Sequence, residues 1–214
     1  MVLALQEQGH DVNRKRVQRL MQLMDLEAIY PKKRTSDPAK GHKKYPYLLR
    51  NLEVRYPNQV WCTDITYIPM KRGYMYLVAI MDWYSRHVLS WRLSNSLETS
   101  FCIEALEDAL RCNCPKIFNS DQGAQFTAIE FTERLHQRSI AISMDGRRRA
   151  LDNAFIERLW RSLKYEDIYL KEYQRVDDLY QGISSYFEFY SNKRPHQGLN
   201  YRTPREVYES SIAT

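Results

Sequence analysis

The chain has 214 residues, 43% of them hydrophobic and 13% aromatic, with 32 Lys and Arg against 26 Asp and Glu for a net charge of +6. This suits one folded domain of moderate size with a small appendage. It does not suit a helical membrane protein, because the longest apolar run, Tyr74 to Met81, has eight residues where a span needs about 20.

Four unevenly spaced cysteines give no disulfide framework, and with five scattered histidines they lack zinc-knuckle spacing. The first residues show neither a basic leader nor a cleavage-site pattern, so a cytoplasmic protein is expected. The charge is uneven: residues 1–57 hold twelve Lys and Arg against six Asp and Glu, and the remainder holds twenty of each. An excess confined to the first quarter points to an N-terminal nucleic-acid contact on a neutral core, a solvated basic tail being the alternative.

In chain order, residues 12–29 place Val17, Leu20, Met21, Met24 and Ile29 at helical spacing, with Arg14, Lys15, Arg16 and Arg19 on the other sides. That is a short basic amphipathic helix, and its four cations are candidate DNA contacts. Periodicity then fades, and Pro31, Pro38, Gly41, Pro46 and Pro57 punctuate a basic linker able to follow a DNA backbone. From Val60 a strand runs to Pro69; the apolar stretch 73–84 reads as a strand buried on both faces, and residues 87–93 as a third. Short turns make these three an antiparallel meander.

A helix follows over 97–110, a short strand over 116–120, a helix over 129–138, a strand over 140–144 and a loop to Leu151. Next comes a helix capped by Asp152, in which Phe155, Ile156, Leu159, Trp160 and Leu163 sweep one apolar sector at about 100° per residue. Glu157 and Lys164, seven residues apart, lie just past its edge, and Glu157 could equally pair with Arg161 on a solvated face. Further helices are expected over 176–190 and 204–210, the last with Thr203 as cap and Pro204 at its first position. The order predicts an α/β fold: a mixed sheet of about five strands flanked by helices, behind a small basic helical N-terminal segment.

Three carboxylates stand out by position. Asp64 lies inside the first strand, Asp121 just after the fourth, and Glu157 on the helix. Strand interiors and strand ends converge in α/β sheets, and a helix on that face can deliver a third oxygen ligand of the kind hard divalent cations need. Asp64 could instead be a strand-end polar group, and Asp121 an Asx-turn residue before Gly123.

The segments WCTDIT, NSDQGAQFT and DNAFIERLWRSLKYE, with 35 residues between Asp121 and Glu157, resemble the three catalytic blocks of the DDE integrase core in OrfB-type insertion-sequence transposases, relatives of retroviral integrases. The resemblance covers nearly the whole chain: KRVQRLM is similar to the segment preceding such cores, and YSNKRPHQGLNYRTPREVY to the family's C-terminal signature.

It implies a ribonuclease H-like fold, with a partial DNA-contacting segment at 1–30, a linker at 31–57, a catalytic core at 58–170 and a helical extension at 171–214. It also implies DNA cleavage and strand transfer with Asp64, Asp121 and Glu157 holding two Mg2+ ions, Mn2+ substituting. Lys164 and Arg161 are then expected on DNA, with Asn153, Gln122 or Gln125, Arg147 and Arg148 as further contacts; Arg148 stands where relatives often have glycine. The implied setting is a homo-oligomer on transposon ends and target DNA, near the bacterial nucleoid. An upstream reading frame is expected to supply a helix-turn-helix module that is absent from this chain, which begins inside a longer helical segment. A truncated, catalytically idle fragment that regulates a longer transposase is the alternative.

Overall fold

The computed structural model describes residues 5, 6, 8–23, 43–71, 73–145 and 154–210, which fall into two compact units, Met1–Asp37 and Pro38–Thr214. In the first unit a helical turn ends at Gly9: its N–H donates to Gln6 O at 3.0 Å and that of His10 to Leu5 O at 3.0 Å. This pairing needs a left-handed residue, and Gly9 has φ +83°. The chain re-enters a helix at Asn13, whose Oδ1 accepts the Arg16 N–H at 2.9 Å, capping α1 (Arg14–Leu23). The expected helix thus starts two residues late, and its residues 24–29 lie outside the described residues.

The second unit is built on β1 (Val60–Pro69), β2 (Tyr74–Asp82), β3 (Val88–Ser94), β4 (Ile117–Ser120) and β5 (Ala141–Met144), in spatial order β3-β2-β1-β4-β5. The meander β1-β2-β3 is antiparallel, while β1-β4 and β4-β5 are parallel. Between them lie α2 (Ser100–Ala109), α3 (Ala124–Thr127) and α4 (Ile129–His136); after β5 come α5 (Ala154–Leu163), α6 (Tyr169–Lys171), α7 (Val176–Asn192) and α8 (Pro204–Ser210). The mixed five-stranded sheet flanked by helices is the architecture expected from the element order.

Alternation along the strands divides the core in two. Trp61, Val78, Ile80 and Phe118 face Phe101, Leu106, Phe131 and Leu135 from α2 and α4. On the other side Cys62, Leu77, Ala79 and Met81 meet Ile156, Leu159, Trp160 and Leu163 of α5 and Leu179, Ile183 and Phe187 of α7.

Three local features were not expected. A single turn, α3, precedes α4, because Thr127 Oγ1 donates back to Gly123 O at 3.0 Å. The helix begun by α5 continues through a π-helical turn, Lys164–Ile168, into α6; the wider turn lets Leu163 and Ile168, five apart and both buried, face one core. Residues 43–50 run beside β5, with Leu48 N–H donating to Ser143 Oγ at 3.0 Å and Met144 N–H to Pro46 O at 3.4 Å, which covers the edge strand. At the far end, α8 carries the expected cap in reciprocal form: Thr203 Oγ1 accepts from Glu206 N at 3.3 Å and Glu206 Oε2 from Thr203 N at 2.8 Å.

Candidate active site

Parallel pairing of β1 with β4 places Val60, Trp61 and Cys62 opposite Ile117, Phe118 and Asn119. Carried two residues further, the same register sets Asp64 opposite Asp121. Directly opposed residues in a sheet point to one face, and Cys62, two before Asp64, fixes that face as the α5 side. The β4-β5 register, carried one step past Ser120 and Met144, adds Asp145 to the row; its N–H still donates to Ser120 O at 2.9 Å.

Asp145 is expected from the sequence only as the first residue of a loop. Its signal was available in principle, since it follows β5 as Asp121 follows β4. Asp145 is buried, and its Oδ1 accepts Asn119 Nδ2 at 3.0 Å.

Each carboxylate is held differently. Asp64 Oδ2 accepts the indole N–H of Trp160 at 3.0 Å, which ties the first strand to α5. Trp160 was assigned only to the apolar sector; that sector's margin is where its N–H emerges. Asp121 Oδ1 accepts Gly123 N–H at 2.8 Å, an Asx-type turn that orients the carboxylate at the strand end. Glu157 is exposed on α5, three residues before Trp160 and so about 60° round the helix from it. It forms no ion pair with Arg161 among the described residues.

Lys164, one turn past Trp160, is half-buried; burial lowers its pKa and Asp64 partly offsets this. The neighbouring Cys62 thiol is pushed well up, first by burial and then by Asp82, Asp145 and Asp64, so the site carries no thiolate.

Of the other expected contacts, Gln122 Nε2 donates to Asp145 O at 3.1 Å and Gln125 Nε2 to Leu97 O at 2.8 Å, so both amides brace the loop after β4. Arg161 is exposed. Arg147, Arg148 and Asn153 lie outside the described residues, as does the cap Asp152. Arg14, Lys15, Arg16 and Arg19 are all exposed on α1 in the first unit.

Among the described residues no three His, Cys, Asp or Glu side chains lie close enough to hold a metal ion. The donor chemistry nevertheless fits one hard divalent cation or two. The candidate ligands are all oxygen, Asp64 within β1 and Asp121 just past the carboxyl end of the parallel β4 share a row, and the third rides on the helix that Trp160 fastens to Asp64.

Comparison with known proteins gives the family and the fold. Residues 55–150 and 138–204 match two family models, each described as an integrase core domain, and residues 1–34 match an HTH-like domain. The last match corrects the expectation that a helix-turn-helix module is absent from this chain.

The chain is 31% identical over 209 residues to the transposase for insertion sequence element IS904 of Lactococcus lactis, covering 94% of this chain and 83% of that protein. It is 28% identical over 214 residues to the transposase for IS629 of Shigella sonnei, covering 98% and 72%. Among solved structures, the HTLV-2 integrase catalytic core superposes with a TM-score of 0.58 at 19% identity, covering 72% of this chain and 97% of that one. The BIV integrase core gives 0.59 at 18%, covering 73% and 97%. These likenesses show the ribonuclease H-like fold. With the sheet row, the helix and the family match in agreement, the chain belongs to the insertion-sequence transposases of the OrfB type, DDE polynucleotidyl transferases with an integrase core.

Proposed function

We propose that this chain is the catalytic subunit that cleaves DNA strands at the ends of an insertion sequence and joins them to target DNA, with Asp64, Asp121 and Glu157 as its metal-holding catalytic residues. The observation that carries the reading is the docking of the Glu157 helix onto the sheet row through the Trp160 bond to Asp64. Transposition follows from the family; the strand chemistry and the residue roles are the proposal.

Asp64, Asp121 and Glu157 would hold two Mg2+ ions, or Mn2+ in their place. When bound, such a pair would supply activation of a water or a DNA 3′-hydroxyl and charge stabilisation at the scissile phosphate and its leaving oxygen. The HTLV-2 integrase core, which shares the fold, is described in complex with magnesium, in dimeric and trimeric forms, and this supports both the metal and a homo-oligomer on DNA.

The remaining roles belong to the chain. Trp160 orients Asp64 so that one carboxylate oxygen is engaged by the indole, and the Asx turn at Gly123 aims Asp121. Lys164, held near Asp64 by the buried side of α5, presents its ammonium to a backbone phosphate, and Arg161 extends that cationic line along the helix. The cations of α1 supply a further, sequence-independent attraction to DNA. Among the described residues no helix is long and apolar enough to cross a membrane, and the relatives named are bacterial; a place on the nucleoid is part of the proposal.

Incubation of the purified chain with Mg2+ or Mn2+ and a pre-nicked transposon-end duplex tests it. Strand joining by the wild type and none by Asp64→Asn is expected. Equal inertness of both would favour the idle regulatory fragment instead.

A further inference from the structure

We infer that Arg86 and Arg158 form a binding site for a DNA backbone phosphate, seated by the C-terminal turn at residues 193–202. The inference rests on the DNA-processing reading above and assigns a role to the C-terminal signature, which the triad leaves unexplained.

Arg86 is placed with care. It has φ +63° at the β2-β3 turn, where the fully buried Asp82 accepts the Ser85 N–H at 2.8 Å and the Ser85 hydroxyl at 2.6 Å. The guanidinium lies over the ring of Phe155, in the first turn of α5, with Cζ 4.6 Å from the centroid. Its other neighbour is Gly198, where an added Cβ would stand 2.7 Å from both Nη atoms. With glycine in the HQGLNYRTP stretch the guanidinium packs directly against the turn; a larger residue there would displace it. The turn that presents it is closed by the His196 N–H to Arg202 O at 3.1 Å and the Tyr201 N–H to His196 O at 2.9 Å.

The charge balance there is incomplete. Arg86 Nε is buried without a hydrogen-bond partner, and neither Arg86 nor Arg158 has a carboxylate partner among the described residues. Burial lowers the Arg86 pKa, Tyr190 partly offsets this, and the charge of Arg158 lowers it further, so the two guanidinium groups repel rather than share an acid. Two other partly buried arginines differ. Arg194 gives Glu166 two bonds, at 3.1 and 2.6 Å, and Arg92 is matched by Glu104 and Asp108. A half-buried, unpaired guanidinium is costly unless an anion joins it. Half-buried Arg86, with the exposed Arg158 three residues beyond the Phe155 on which it stacks, fits a phosphate in an enzyme of phosphodiester chemistry, with the fork geometry arginine offers.

The test is the salt dependence of binding of a short fluorescent duplex to the full chain. Arg158→Gln changes an exposed residue and decides the matter even if Arg86→Gln weakens the fold. Each variant is expected to bind about tenfold more weakly and to lower the slope of log K against log salt by about 0.9. Arg86→Lys should keep the slope and lose affinity severalfold, since the charge stays and the fork does not. Unchanged slopes in both glutamine variants overturn the site, leaving Arg86 a structural clamp; unchanged slopes with an altered oligomeric state overturn it in favour of a protein carboxylate. Wild-type strand joining in the same preparations separates the two readings. Joining with unchanged slopes removes this site alone, and reduced slopes without joining support the site while removing the catalytic reading.

Discussion

Replacing Trp160 by Phe removes one N–H and part of one ring and leaves an aromatic in place. The indole is 6% exposed and donates to Asp64 at 3.0 Å. A hydrogen bond to a charged acceptor contributes about 1.5–3 kcal/mol, and the small cavity left by the ring adds about 1 kcal/mol. Because Asp64 is half-buried and can regain water, a total near 2–3 kcal/mol is expected, lowering the melting temperature by about 5–10 °C for a chain of this size.

The functional effect is separable. Groups that orient a metal ligand typically govern about 10–100-fold in metal affinity or activity, so Trp160→Phe should need roughly tenfold more Mg2+ for half-maximal strand joining. Trp160→Gln, which restores a donor, should recover part of the metal requirement while melting lower still. The assay is joining of a pre-nicked end duplex across a Mg2+ series, with thermal melts alongside. A Phe variant that melts lower yet shows the wild-type Mg2+ requirement would refute the claim that the indole positions Asp64.

Three other outcomes follow from particular contacts. An alanine at Gly182 should destabilise the protein by about 1 kcal/mol, although alanine favours helices. The reason is that its Cβ would overlap the Tyr173 hydroxyl, which is itself bonded to Asp167 at 2.7 Å; a raised melting temperature would contradict this. His196, 7% exposed, has its pKa lowered from 6.5 to about 4, chiefly by burial and then by Arg194. The unfolded chain therefore binds a proton below about 6.5 while the folded chain does not, so this contribution is present above pH 6.5 and is lost as pH falls through about 4. On the order of 3 kcal/mol should disappear over that window, and His196→Gln should flatten the acid limb of a denaturant titration. Neutralising Arg14, Lys15, Arg16 and Arg19 together should weaken DNA binding and flatten its salt dependence, read by anisotropy; an unchanged slope would remove α1 from the DNA interface.

The elements most legible in the sequence were those whose pattern is set by burial. The all-apolar β2 had to lie in the sheet interior, and the α5 sector had to face a core, because periodicity records which side meets water. The placement of Asp64, Asp121 and Glu157 on a strand, a strand end and a helix was also readable, since each depends on local element identity. What pairing decides was not readable. Asp145 joins the row only through the β4-β5 register, and Trp160 reaches Asp64 across 96 residues of chain.

The π-helical turn was hidden for a similar reason: it answers to a core contact five residues on rather than to propensity. Nothing local in the sequence marks Arg86: its surroundings are Phe155 and Gly198, both distant along the chain.

The central claim is that Asp64, Asp121 and Glu157 act as one metal-binding set. Mn2+ binding to the purified chain, followed by the loss of its free electron-spin-resonance signal, tests this without requiring turnover. The wild type should bind Mn2+, and Asp64→Asn, Asp121→Asn and Glu157→Gln should each weaken binding by at least about tenfold, because each removes an oxygen ligand a hard cation needs. Wild-type affinity in the Glu157→Gln protein, folded by its melt, would contradict the account.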